Sequence, residues 1–385
     1  MRSVVVAKYV PWPPNSGDKQ RTLGVVRALQ AHGEVTVCAF SGPDEDAAPL
    51  QAEGVRVCSV PRRSSVPQLV GGLLRSRSIT AARFWDGRLA GLVARETAST
   101  PDALVIEHVQ LMPYARAGRA RTTVLDMHTL ESSLTARYAA SQRGVRRAVL
   151  WLESKALARL ERLGSRADAV VVASETDRER LGRVAAGTQV LVVPNAWDEE
   201  TPLYPTTAPV VCFVALLSWA PNVDAAVWFV ERVWPHVLSG RPDAQLLLVG
   251  RNPAAAVRAL QGPSVEVTGT VPDLLPHYAR SRVAVAPLRS GGGSRLKILE
   301  ALAHARPLVS TTVGVEGLED LIGRGVVVAD DPADMADAIL ALLADDAECA
   351  SLGAAGAEAV RVDHSWQAAT QPLVDLLSAR TEGPR

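Results

Sequence analysis

The sequence predicts an α/β protein built as two doubly wound domains with parallel sheets, and three observations carry that prediction. Thirteen short apolar runs rich in β-branched residues recur along the chain, most of them separated by stretches of helical period. A proline-rich interruption, "PNAWDEETPLYPTTAP" at 194–209, divides the runs into two groups. The length of 385 residues exceeds one ordinary core, whereas two domains of roughly 150–200 residues accommodate it.

In the first half the predicted strands are "SVVVAKYV" (3–10), "EVTVCAF" (34–40), "GVRVCSV" (54–60), "DALVIEH" (102–108), "TTVLDMH" (122–128), "DAVVVAS" (168–174) and "QVLVV" (189–193). After the interruption they are "VVCFVAL" (210–216), "AQLLLVG" (244–250), "VEVTG" (265–269), "RVAVAPL" (282–288), "PLVST" (307–311) and "GVVVAD" (325–330). Each is short and apolar without alternation, as strands buried on both faces are. The chain from 332 reads as helices and ends in "WQAATQPLVDLLSAR". The expected boundaries are 1–195, 196–365 and a terminal helix, 366–385, that packs back toward the first domain.

Composition removes several classes. The four cysteines (Cys38, Cys58, Cys212, Cys349) are widely spaced and form no C-x-x-C or Cys/His pattern, so neither a zinc site nor a disulfide framework is expected. They read as core thiols of a reduced, cytoplasmic protein. "SVVVAKYV" runs into "PWPPNSG" and reads as strand and loop, not as a secretory signal. The longest apolar stretch, "VVCFVALLSWA", falls far short of the ~20 residues of a membrane span. Net charge is zero, yet residues 1–195 hold 27 Lys+Arg against 18 Asp+Glu and residues 196–385 hold 14 against 23. A basic first half suits an anionic partner; attraction between oppositely charged domains explains it equally well. No nucleic-acid motif is present, and the basic stretches lack interleaved aromatics for base stacking.

The most informative stretch is "SGGGSRLKILEAL" at 290–302. The chain holds 37 Arg and four Lys, so a lysine at 297 is a marked choice. The glycines follow a predicted strand and precede a predicted helix, the place where open α/β sheets bind ligands. Consecutive glycines allow close backbone approach, and a helix start adds free N–H groups and a positive dipole end. Lys297 and Glu300 are three residues apart and share a face, while Leu296, Leu299 and Ala303 read as core. Lys297 and Arg295 can hold a diphosphate, and Glu300 can accept two ribose hydroxyls. A glycine-rich turn followed by a surface Lys–Glu pair fits the same residues, so spacing alone leaves both readings open. Neither the P-loop nor the G-x-G-x-x-G pattern is present.

Residues 287–319, "PLRSGGGSRLKILEALAHARPLVSTTVGVEGLE", resemble the donor-binding segment of family 4 glycosyltransferases of the GT-B fold. The match is to the branch whose loop reads G-G-G-[ST]-R-x-K-x-x-E. "APNVDAAVWFVERVWPHVLSGRPDAQLLLVG", "VEVTGTVPDLLPHYARSRVAVAPL", "PWPPNSGDKQR" and "LDMHTLESS" extend the resemblance over nearly the whole chain, most closely over 219–320. It implies two Rossmann-like domains facing across a cleft, and a hexosyltransferase moving a sugar from a nucleoside-diphosphate sugar, UDP- or GDP-linked first, to a hydroxyl acceptor. It further implies retention of anomeric configuration. No cofactor is expected, and no metal is required if Arg295, Lys297, the loop amides and the helix end suffice to stabilise the departing diphosphate.

Carried over by position, Arg295 and Lys297 hold the pyrophosphate, with Gly292, Gly293 and Ser294 supplying the loop, and Glu300 holds the ribose. The loop 269–273, with Val271, lies beside the base; Gly17 offers its N–H to the distal phosphate; His128 sits near sugar and acceptor. Asp126 is expected to orient His128 or to cap a turn, and Glu131 to help position the acceptor hydroxyl. His108, at the end of the preceding strand, is a further candidate. Lys19 reads as a surface residue. Two departures stand out. Gly292 occupies the place of a glutamate common in the family. "LLSWAPN" stands where a basic residue usually follows the first strand of the second domain, with Asn222 or Arg251 available to compensate. Ala305 replaces the glycine that often ends the helix.

"DED" at 44–46 matches the Asp-x-Asp string of metal-dependent transferases but reads as solvated acid in a loop. Residues 137–166 carry eight Lys+Arg and two Glu, with Leu134, Tyr138, Val145, Val149, Leu152, Ala156 and Leu163 on one helical stripe. Such a helix can lie on an anionic membrane or pack on its own sheet with a solvated basic face. Heavy Ala and Arg use points to a GC-rich bacterial genome and to glycan or specialised-metabolite assembly. An epimerase acting on the donor alone and a catalytically silent interaction partner are the rival readings.

Overall fold

The computed structural model describes residues 1–43, 45–63, 65–140, 142–182, 187–198, 202–203, 205–290 and 295–382. It separates into two compact units, 1–194 with 369–385 and 195–368. The second unit therefore runs three residues further than expected and takes the first turn of the terminal helix Trp366–Glu382. The rest of that helix belongs to the first unit, where Arg380 lies 3.5 Å from Asp168.

All thirteen expected strands form among the described residues; most are trimmed at one or both ends, Val265–Gly269 keeps its expected bounds, and the first three each reach one residue beyond the expected run. The first unit holds β1 (Arg2–Ala7), β2 (Glu34–Ser41), β3 (Arg56–Pro61), β4 (Ala103–Glu107), β5 (Thr122–Met127), β6 (Ala169–Val172) and β7 (Gln189–Val192). They make one parallel sheet in the order β3-β2-β1-β4-β5-β6-β7. The second holds β8 (Val210–Val214), β9 (Gln245–Val249), β10 (Val265–Gly269), β11 (Val283–Ala286), β12 (Leu308–Ser310) and β13 (Val326–Val328), ordered β10-β9-β8-β11-β12-β13. In each sheet the order reverses beside the first strand, between β1 and β4 and between β8 and β11. The carboxyl ends of those strands flank the crevice where doubly wound sheets bind ligands.

Burial on both faces explains the unbroken apolar runs. Val4, Val5 and Val6 on β1 and Leu104, Val105 and Ile106 on β4 are at most 1% exposed. On β9, Leu246, Leu247 and Leu248 are equally buried. Gly250, just past β9, has φ +152°, and a Cβ there would lie 1.7 Å from the Ala215 carbonyl oxygen, so only glycine fits.

Three expectations need correction. The basic stretch is two helices, Glu131–Ala140 and Gly144–Gly164, because Gly144 enters the second with φ +59° and breaks the stripe. Lys19 is not on the surface: it is 6% exposed and ion-paired to Glu45 at 2.9 Å. Glu45 is thus a half-buried partner and not solvated acid; Asp46 is exposed and accepts the Ala48 N–H at 2.9 Å, and Asp44 lies outside the described residues.

Candidate active site

In the second unit the helix Leu296–Ala303 follows β11, with Arg295 at its N-cap in an extended conformation. Its inward face is apolar: Ile298, Leu299, Leu302 and Ala303 are at most 4% exposed. That packing aims Lys297 and Glu300 sideways from the core. Gly292, Gly293 and Ser294 lie outside the described residues.

Lys297 is half-buried and is held from below. Its Nζ donates to Asn222 Oδ1 at 2.7 Å and lies 5.0 Å from the centre of the Phe213 ring. Asn222, 3% exposed, donates its own Nδ2 to the Leu216 carbonyl at 2.9 Å, which fixes the amide so that the oxygen faces the lysine. No acid forms an ion pair with Lys297 among the described residues. Burial, and then the neighbouring charge of Arg295, lower its amine to about 7, with Glu300 opposing.

Arg295 is 5% exposed and donates to the Val313 carbonyl at 3.4 Å. Glu300 accepts the Tyr278 hydroxyl at 3.3 Å. Burial, followed by the Glu300 charge, raises that phenol well above its ordinary range, so it remains a donor. Tyr278 belongs to the helix Leu275–Arg280, and Val271, half-buried in the loop before it, packs against the core that holds Ile298 and Leu299. Val271, Arg295, Lys297 and Glu300, all expected to meet the donor, thus belong to one unit together with Tyr278. A neighbouring concavity of about 600 Å³ carries Asp224, Glu231, Asp330 and Asp331 against Arg232 and Arg289 and is too acidic for a diphosphate.

In the first unit the ends of β4 and β5 place His108 and His128 with ring centres 3.6 Å apart. His128 Nε2 lies 2.6 Å from Glu107 Oε2, which also accepts the Thr22 hydroxyl at 3.2 Å. Glu107 is fully buried, and burial pushes its carboxyl up to about 7. Burial also lowers His128 to about 3, with Arg21 and Lys8 adding to the effect against Asp126, and His108 falls well below its ordinary value. Both rings are neutral at pH 7. With Glu107 ionised, His128 Nε2–H donates to it and Nδ1 is left as an acceptor. His108 also takes φ +76°, a conformation a non-glycine residue holds at a cost of about 1–3 kcal/mol.

Asp126 does not orient His128. It is fully buried and bound by Arg21, whose Nε lies 3.0 Å from Oδ2 and whose second guanidinium nitrogen lies 2.8 Å from Oδ1. The expectation of an orienting or turn-capping Asp126 is replaced by Glu107 as the partner of His128. Glu107, Asp126 and His128 could place ligand atoms within 4.8 Å of one another. A metal there would have to displace the Arg21 guanidinium from Asp126, so the donor set does not fit one. Glu131, the first residue of its helix, is half-buried and acts on Lys8 by its charge. Gly17 is exposed at the start of the helix Gly17–Gln30, whose N-cap Ser16 spends its hydroxyl on Asp18 and makes no side-chain cap hydrogen bond.

Sequence reasoning missed Lys8, Arg21, Thr22, Glu107 and Tyr278. One signal was available. Of the four lysines, Lys19 is buried and Lys8 and Lys297 are half-buried; only Lys155 is exposed. In an arginine-rich chain, lysine marks enclosed positions.

Two family models match the chain. One, described as Glycosyl transferase 4-like domain, spans residues 16–196, and the other, Glycosyl transferases group 1, spans 208–345. A GDP-mannose-dependent monoacylated alpha-(1-6)-phosphatidylinositol monomannoside mannosyltransferase of Corynebacterium glutamicum is 27% identical over 186 residues, 45% of this chain and 48% of that protein. A phosphatidyl-myo-inositol mannosyltransferase of Mycobacterium leprae is 33% identical over 147 residues, 36% of this chain and 39% of that protein. The chain thus matches less than half the length of these curated relatives. Among solved structures, sucrose-phosphate synthase from Thermosynechococcus elongatus matches with TM-score 0.71 at 19% identity over 98% of both chains. Anabaena HepE in complex with UDP and glucose matches with TM-score 0.67 at 14% identity over 98% of this chain and all of that one. With both sheets in Rossmann order and both halves matched by models of one enzyme class, the chain belongs to the GT-B glycosyltransferases of the family 4 type.

Proposed function

We propose that the chain transfers a hexose from a nucleoside-diphosphate sugar, UDP- or GDP-linked, to a hydroxyl acceptor, with retention of configuration. The observation that carries this reading is Lys297, an enclosed amine held by a neutral amide and lacking an acidic ion-pair partner among the described residues. A diphosphate supplies the missing charge. Arg295 adds a second cation, and Glu300, with Tyr278 behind it, offers carboxylate oxygens to a ribose. Charge grows on the diphosphate as the glycosidic bond breaks, and preorganised cations stabilise that state more than the ground state. The protein's own cations fill the role a divalent metal plays in other transferases. The neighbour solved with UDP and the GDP-mannose-dependent relative support a nucleotide-linked donor.

In the first unit, neutral His128 presents Nδ1 as a hydrogen-bond acceptor for the attacking hydroxyl, and Glu107 holds the ring in the tautomer that permits it. The setting we propose is bacterial glycan or specialised-metabolite assembly.

The test follows the donor alone. Wild type is incubated with UDP-glucose and with GDP-mannose, and slow transfer to water is followed by proton NMR. Release of nucleoside diphosphate with the α-anomer formed first supports the reading. Epimerised donor without release would favour an epimerase, and binding without any turnover a silent partner.

A further inference from the structure

We propose that the first unit carries a built surface for an anionic lipid bilayer, formed by the helix Val66–Ser76 together with the exposed half of the helix Gly144–Gly164. Globular proteins scatter large exposed apolar residues singly. Here nine of the twelve described ones fall on two short segments: Val66, Val70, Leu73, Leu74 and Ile79, and Val145, Val149, Trp151 and Leu152. On the first helix they stand at spacings of four, three and one, a single stripe, with Val66 74% and Leu74 77% exposed. On the second, Val145, Val149 and Leu152 make the matching stripe, with Val145 81% exposed. Buried residues of that helix begin only at Glu153; the turns before it contribute none to the core. Each stripe therefore faces water where an ordinary helix would face its sheet.

The two stripes flank one junction. Glu153 accepts the Ser78 hydroxyl at 2.6 Å and the Ile79 and Thr80 N–H groups at 2.9 Å each. Those bonds fasten the turn that follows Val66–Ser76 to the second helix. Glu153 is itself 7% exposed, so its charge is spent inside and does not oppose an anionic surface.

Charge selects the occupant. Between 62 and 85, and again between 132 and 152, the sequence contains no Asp or Glu. The same segments carry exposed Arg75, Arg77 and Arg83, and Arg137, Arg143, Arg146 and Arg147. Apolar side chains set among arginines, with no acid between them, complement the headgroup and upper acyl region of a membrane with anionic lipid. No helix is long and apolar enough to cross a membrane, so the surface lies on the bilayer and does not span it. This inference does not depend on which donor or acceptor the enzyme uses.

The experiment is co-sedimentation of the full chain with phosphatidylcholine vesicles made with and without phosphatidylglycerol, with UDP and GDP binding measured in parallel. The expected result is binding to the anionic vesicles only, weakened by salt. Arg147→Glu should lower it by at least about fivefold, and the pair Leu74→Glu with Val145→Glu by at least about tenfold. All these side chains are exposed, so the variants should keep the wild-type melting temperature and nucleotide binding. No sedimentation with anionic vesicles, or sedimentation that the variants leave unchanged, overturns the proposal. So does a wild-type dimer in solution that the double variant converts to monomer, since that assigns the surface to a second copy of the chain.

Discussion

Replacing Lys297 by Met should make the protein more stable while weakening its hold on the donor. The amine is lowered from 10.5 to about 7 by burial and by Arg295, and each unit corresponds to about 1.4 kcal/mol. At neutral pH the donor-free fold therefore carries a penalty of at most about 3–5 kcal/mol for enclosing it. Methionine removes that penalty at nearly the same volume but leaves Asn222 Oδ1 without its donor, at a cost of about 1–2 kcal/mol. The net gain is about 2 kcal/mol, or a melting temperature higher by about 4–8 °C. Because the folded-state value is depressed, the penalty is absent above the ordinary amine value of 10.5, grows as pH falls, and is complete below about 7. The advantage of Lys297→Met should follow that course and shrink as pH rises from neutral toward 10.5. Binding of the cognate nucleoside diphosphate should weaken by about 1.5–3 kcal/mol, roughly tenfold to a hundredfold. Differential scanning fluorimetry across pH, with and without UDP or GDP, measures both effects. A Lys297→Met protein that melts below wild type at pH 7, or whose advantage does not shrink with rising pH, would refute the reasoning and make Lys297 a structural residue.

Four further outcomes are expected. Asn222→Ala should weaken diphosphate binding about tenfold, since one hydrogen bond orienting the cation is lost, while Asn222→Asp should raise the Lys297 titration seen by NMR by pairing the amine. Wild-type activity should rise as pH passes about 7, where Glu107 ionises and frees His128 Nδ1, and Glu107→Gln should flatten that rise; a pH–rate profile decides it. Arg21→Met should cost about 3–5 kcal/mol by leaving Asp126 buried and unpaired, and a second change, Asp126→Leu, should recover part of it in urea melts. Ala305→Gly should stabilise by about 1 kcal/mol, because Ala305 holds φ +54° at the end of the Leu296–Ala303 helix, and a higher urea midpoint would register it.

The fold was legible because each strand is buried on both faces and so announces itself locally. "VVCFV" and "VAVA" need no tertiary knowledge to read as interior strands. The donor half of the site was legible for a similar reason, since Arg295, Lys297 and Glu300 share one short segment whose helical spacing fixes their common face. What could not be read is what the fold brings from far away. Asn222 reaches Lys297 from 75 residues earlier, and Arg21 reaches Asp126 from 105. Asp126 and Glu107 sit in register at the ends of neighbouring strands, so nothing in either sequence says which carboxylate takes the arginine and which the histidine. Lys19 was misread because a lysine on an amphipathic helix is usually solvated, and the Glu45 that buries it comes from another loop. The outward stripes of Val66–Ser76 and Gly144–Gly164 have the same period as inward ones; only the fold shows which way they face.

The central claim is that Lys297 is kept uncompensated for a diphosphate, and isothermal titration of UDP and of GDP tests it most directly. The titration should be run about one unit above the Lys297 value of about 7, in two buffers of different ionisation enthalpy. One nucleoside diphosphate should bind wild type with uptake of close to one proton, as the amine charges on contact, and folded Lys297→Ala should lose both the affinity and the uptake. Equal binding by both proteins, or binding without proton uptake, would contradict the account.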